Sequence, residues 1–268
     1  MRRRDALLAL LAGPALALGW LSPPGRPRAQ SPESLATEGP FHVAEVLDGD
    51  SLVLDDGRRV RLVGIQAPQL PRGRQDFEAW PLAMEAKAAL EALALGQSVT
   101  LGFGGRRSDR HGRILAHVFL ADGRWLQGEM LASGMARVLS LADNRIAVAD
   151  MLALEQDARS AGRGIWALNF YRVRSAEAAA LYLGRFELVE GRVLSAAVVR
   201  GRGYLNFAED WRQDFTVSLA PDVRRLFESE GVQVENYEGL KIRVRGWLKS
   251  FNGPMIEVTH PEQIEVLP

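Results

Sequence analysis

Two kinds of side chain in this 268-residue sequence are grouped closely enough to suggest chemistry. The first is arginine. Arg72 and Arg74 flank a glycine, and Arg106, Arg107 and Arg110 crowd a second short segment. Guanidinium groups along a surface can track a phosphate backbone. Charge runs also serve as plain solvated faces, and the pattern supports both readings equally. The second group is aromatic: Tyr204, Phe207, Trp211 and Phe215 surround Asn206 and Arg212. Exposed rings stack on bases while arginines hold phosphates. Aromatic residues in strands more often fill a core, which leaves Tyr204, Trp211 and Arg212 as the surface candidates. Other chemistries find no support. The absence of cysteine removes disulfides and thiolate zinc sites. His42, His111, His117 and His260 are scattered rather than clustered, which argues against a histidine metal site.

The elements that would position these groups follow from periodicity and turn residues. Residues 30–40 are polar and proline-bearing and read as a linker. Strands are expected at 41–47, 51–54 and 59–65, with Asp55-Asp56-Gly57 as a hairpin turn. Apolar residues at helical spacing predict a helix over 82–95. Strands over 98–103 and 114–120 follow, joined by the basic loop 104–112, and then helices over 125–133 and 146–161 close near Gly134 and Gly162. That order is the order of a five-stranded oligonucleotide-binding (OB) barrel with added helices. After a helical connector at 171–185 the pattern begins again. Strand-like stretches at 187–199, 204–207, 215–219, 241–248, 255–258 and 264–267 surround a short helix at 221–229 with Pro221 at its first position. The expected fold is therefore mainly β with helices (α+β). One barrel domain spans 41–170, and a second small OB-like β-barrel spans 186–268.

The first 29 residues read as a cleaved secretory signal. Arg2, Arg3 and Arg4 precede an apolar run from Ala6 to Leu21, and cleavage is expected near Ala29. The run is short for a spanning helix and contains Gly13, Pro14 and Gly19, which disfavours a membrane anchor. The tandem arginines resemble a twin-arginine export signal, although Asp5 interrupts the pattern. An exported protein, periplasmic or secreted, is the expectation. Without the leader the chain carries about 28 basic and about 32 acidic side chains. Tight non-specific binding to nucleic acid depends on phosphate neutralisation, so any such contact must use a local basic surface.

Three stretches, in order, resemble the staphylococcal nuclease (thermonuclease) family. They are Val46-Leu47-Asp48-Gly49-Asp50-Ser51-Leu52, then Val60 through Gln69, then Asp109-Arg110-His111-Gly112-Arg113. Gly164-Ile165-Trp166 is similar to the family's C-terminal ending. The resemblance implies a site with calcium between two aspartates and a backbone carbonyl, a glutamate that activates water, and two arginines on the phosphate. Calcium favours clustered oxygen ligands, and guanidinium groups offset the charge of a phosphodiester in its transition state. Matched position by position, Arg61 and Arg113 stand for the two arginines, Asp50 for the first calcium ligand and Ala67 for the carbonyl. Gln66 stands where the second aspartate is expected, and Gln69 where the base is expected. Glutamine has neither charge nor basicity, so calcium binding through Asp50 is expected to be weak. Glu78 and Glu85 are the nearby carboxylates that could replace the base.

Each residue also has a plainer role. Asp48-Gly49 suits a turn. Arg61 and Asp50 could form a structural ion pair, and Arg113 could be an exposed loop charge. His111 is expected to pack as the family's aromatic does. The expected function is that of a thermonuclease-family protein with a reduced site, binding single-stranded nucleic acid or another ligand with little or no hydrolysis. A working phosphodiesterase with a rearranged site is one alternative. A cell-envelope module that binds a protein or glycan is the other.

Overall fold

The computed structural model describes residues 35–268 except 74 and 211–213. The expected leader (1–29), the start of the linker, Arg74, Trp211 and Arg212 lie outside the described residues. Among the described residues no helix is long and apolar enough to cross a membrane.

Five strands close the first barrel: β1 (Ala36–Asp48), β2 (Ser51–Leu54), β3 (Arg59–Leu62), β5 (Ser98–Phe103) and β6 (Ile114–Leu120), in the order β1-β2-β3-β6-β5. A two-residue strand, β4 (Ile65–Gln66), pairs instead with β7 (Arg137–Val138). The closure depends on β1. Its second half pairs with β2 and its first half with β5, where Ala36 opposes Phe103 and Thr37 opposes Gly102. Residues 36–40 are thus strand and not linker. Their weakly apolar composition fits this place, because Ala36, Thr37, Gly39 and Pro40 are exposed and Glu38 is half-buried. One strand that serves two neighbours must also be long.

The core alternates as strands require. Val43, Val46, Leu52, Leu54, Val60, Leu62, Val99 and Leu101 point inward, against Ala86, Leu90 and Ala94 of helix α1 (Ala83–Ala94). Helices α2 (Leu126–Ala132) and α3 (Val148–Ser160) add Met130, Leu131, Val148 and Met151 to the same core. Gly134 and Gly164 let the end of α2 meet the Gly-Ile-Trp segment. A Cβ on Gly134 would lie 2.3 Å from the Arg163 carbonyl oxygen.

The connector is not an α-helix. β8 (Arg174–Ser175) pairs in parallel with β9 (Phe186–Arg192), and Ala176–Tyr182 forms a 3₁₀ helix. Ala176 and Ala179 are buried and Tyr182 packs beside them, a three-residue spacing that suits a 3₁₀ turn.

The second β region contains β10 (Ser195–Val199), β11 (Arg202–Asn206), β12 (Thr216–Leu219), β13 (Lys241–Ser250), β14 (Pro254–Val258) and β15 (Ile264–Val266). The expected strand over 187–199 is divided into β9 and β10. Between them the Val193 N–H donates to Leu240 and the Leu194 N–H to Asn206, so the chain bends from one neighbour to the other without leaving the sheet. The path β10-β11-β12-β14-β13-β9 therefore returns on itself, with β12 and β14 parallel as β3 and β6 are. Helix α4 (Pro221–Ser229) lies between the third and fourth strands of this set, where α1 lies in the first barrel.

Candidate functional site

The tight turn between β1 and β2 carries Asp48, Gly49 and Asp50. Glycine is required here, since a Cβ on Gly49 would lie 2.6 Å from the Ala67 Cβ and 2.8 Å from the Ala86 Cβ. Asp50 is buried. Its Oδ1 accepts from Arg61 Nη1 at 2.7 Å and from the Ser51 hydroxyl at 3.0 Å, while Oδ2 accepts from the Ala67 N–H at 3.0 Å. Arg61, on β3, also donates to the Ile65 carbonyl. The ion pair read as one alternative from the sequence is thus present. Burial pushes the Asp48 carboxyl up, with the Asp50 charge adding to the effect, while Arg72 opposes it from 2.8 Å.

Gln66 and Gln69 do not face Asp50 with free oxygens. The Gln66 Oε1 accepts from Arg137 Nε at 3.0 Å and Nη2 at 2.8 Å. Arg137 is itself buried, with the rings of Phe186, Trp80 and Tyr171 within 4.8, 5.7 and 5.9 Å of its guanidinium carbon. Burial lowers its pKa to about 10. The Gln69 amide donates to the Ala67 carbonyl at 3.0 Å, engaging the backbone oxygen that the resemblance assigns to a metal. Among the described residues no three His, Cys, Asp or Glu side chains are placed to share an ion. This donor set does not fit calcium: one carboxylate is tied to a guanidinium, and the neighbouring amide oxygen faces another.

The arginines converge. Arg61 and Arg113 line one cleft of about 570 Å³ together with Arg106 and Arg110. Asp109 and Asp143 face the same space, and Leu115, Leu139 and Leu141 give it an apolar side. Arg113 is held by Asp109 at 2.7 Å. Burial opposes ionisation of Asp109, but N–H donors from Arg113 and His111 outweigh it and hold the carboxyl below its ordinary range. His111 also lines the cleft and is exposed, so it is not packed as a core ring. The remaining candidates are placed elsewhere. Arg72 pairs with Asp48, and Arg107 pairs with Glu38 while lying over the Phe103 ring at 4.2 Å. Glu78 and Glu85 are exposed and do not line the cleft. Tyr204 belongs to a separate pocket on the second barrel.

One contributor had no signal in the sequence. Thr259, from the second barrel, lines the cleft of the first. The segment 139–145 behind it is fixed across the joint. Ser140 Oγ lies 2.7 Å from His260 Nε2, and Arg145 forms double contacts with Glu230 and Glu262. Below them Arg245 of β13 reaches Glu155 of α3 at 2.9 and 3.0 Å. Burial, then the charges of Arg145 and Arg245, lower the His260 pKa to about 4.

Comparison with known proteins agrees with the fold of the first barrel. A family model described as staphylococcal nuclease homologue matches residues 59–168. An uncharacterized endonuclease of Escherichia coli is 34% identical over 127 residues, covering 46% of this chain and 74% of the relative. The thermonuclease of Staphylococcus hyicus is 32% identical over 108 residues, 39% of this chain and 62% of the relative. A succinoglycan biosynthesis protein of Rhizobium meliloti is 32% identical over 148 residues, 53% of this chain and 70% of the relative.

Proposed function

The chain belongs to the staphylococcal nuclease family, and from that premise we propose that its first barrel binds single-stranded nucleic acid in the arginine cleft with little or no hydrolysis. The observation that carries this reading is the orientation of Gln66, whose oxygen accepts two hydrogen bonds from buried Arg137. A side chain held that way supplies no ligand beside Asp50. Gln69 cannot take a proton from water, and its amide already engages Ala67. What remains is anion recognition by Arg61, Arg106, Arg110 and Arg113. One relative takes its name from polysaccharide biosynthesis and not from nuclease activity. The basic, apolar-rich leader supports export of the protein.

The test is an assay on the chain lacking residues 1–29, with a fluorescent single-stranded oligonucleotide, with calcium and with chelator. Binding that weakens with salt and no calcium-dependent cleavage are expected. Cleavage that chelator stops and Asp50→Ala abolishes would overturn the reading. A second reading, a phosphodiesterase with a rearranged site, is favoured by His111 in the cleft beside Arg113. It predicts cleavage that Asp50→Ala spares and His111→Ala removes.

A further inference from the structure

The second barrel carries its own pocket, separate from the arginine cleft. β11, β12 and β14 run side by side, and at one register Tyr204 opposes Ser218 while Ser218 opposes Glu257. The residues flanking them, Leu205, Val217, Ile256 and Val258, are buried in the core, so the pleat turns the row outward. Arg202 and Met255 share this face, and Phe251 from the β13–β14 hairpin completes a pocket of about 270 Å³.

Three features point to a ligand. Ser218 faces outward yet is fully buried, and its Oγ has no hydrogen-bond partner. Such a hydroxyl is unfavourable unless something else bonds to it. Phe251 is 63% exposed, which leaves an apolar ring in water beside Tyr204. Glu257 is fixed between Arg202 at 2.8 Å and Lys249 at 3.3 Å, so donors and an acceptor are presented together.

The charge of the pocket selects the ligand class. Its lining cation, Arg202, and the neighbouring Lys249 are both engaged by the one carboxylate among the described lining residues, Glu257. A phosphodiester placed here would meet that carboxylate with both neighbouring cations already held on it. A neutral ring bearing hydroxyl groups meets no such penalty. Its apolar face can lie on Tyr204 or Phe251, and its hydroxyls can bond Glu257, Arg202 and Ser218. We propose that this face of the second barrel binds a neutral saccharide residue.

The experiment titrates the full chain with neutral cello-, malto- and chito-oligosaccharides and with an oligothymidylate, read by saturation-transfer NMR and calorimetry. At least one saccharide should bind, with little dependence on salt. Affinity should fall tenfold or more in the double variant Tyr204→Ala, Phe251→Ala and remain unchanged in Arg110→Ala. Ser218→Ala sharpens the test, because loss of an unpartnered hydroxyl should leave thermal stability equal or higher while weakening binding. The proposal is overturned if no neutral saccharide binds, if binding survives the double variant, or if only oligothymidylate binding depends on Tyr204 and Phe251.

Discussion

The two barrels share a strand order and differ in what they present to solvent. In the first, four arginines against two aspartates make a cationic cleft. In the second, Arg202 and Lys249 are both held by Glu257 on an outward sheet face with two aromatic rings. The same topology thus carries different electrostatics, and ligand choice follows from the side chains placed on it and not from the barrel. Between the barrels the chemistry changes again. The joint is built from charge, with buried Arg245 held by Glu155 and Glu265, and half-buried Arg145 held by Glu230 and Glu262.

The joint gives the sharpest way to ask whether the barrels are separate. Glu155→Ala leaves buried Arg245 with Glu265 as its one remaining carboxylate, a change that costs up to about 3–5 kcal/mol. The Val138 N–H also loses its acceptor. Urea unfolding should show one transition at lower denaturant for both barrels. Two transitions, with only one displaced, would show that the barrels fold independently.

A smaller effect should appear with acid. His260 at the joint and His117 in the first barrel both have pKa values lowered to about 4, chiefly by burial, against an ordinary 6.5. The unfolded chain therefore takes up these protons first, and stability is lost as pH falls from about 6.5 towards 4. Each histidine contributes at most about 3 kcal/mol to that loss. Asp48, whose carboxyl is raised by burial, offsets part of it. His260→Gln should remove roughly half of the slope in denaturation measured across this range. An unchanged slope would place the titration elsewhere.

Much of the first barrel was legible in the sequence, because alternation and turn residues act locally. The hairpin at Asp55-Asp56-Gly57 and the helix near 82–95 needed no distant information. The boundary at 36–40 did, since those residues become strand only by pairing with β5. The convergence of Arg61 with Arg113 followed from the family resemblance. Arg137 was invisible: its role depends on Gln66 beside it and on rings from Trp80, Tyr171 and Phe186. Thr259 was equally hidden, because its place in the cleft depends on how the barrels dock.

The smallest expected effect separates the two sites most cleanly. Asp50→Asn keeps an oxygen for the Ala67 N–H but removes the charge that holds Arg61 at 2.7 Å. Arg61 already lines the cleft, and without that ion pair its guanidinium can turn its full charge to a phosphate. Oligonucleotide affinity at low salt should rise roughly tenfold, the scale of one charge-assisted hydrogen bond. The slope of log affinity against log salt should steepen by about one, the signature of one added phosphate contact. Fluorescence anisotropy over a salt series measures both, and saccharide binding by the second barrel should not change. A fall in oligonucleotide affinity would instead mean that the Asp50 carboxylate supports the ligand, as it would in a metal-dependent site, and the contrast between a cationic cleft and a face whose charges are paired would no longer hold.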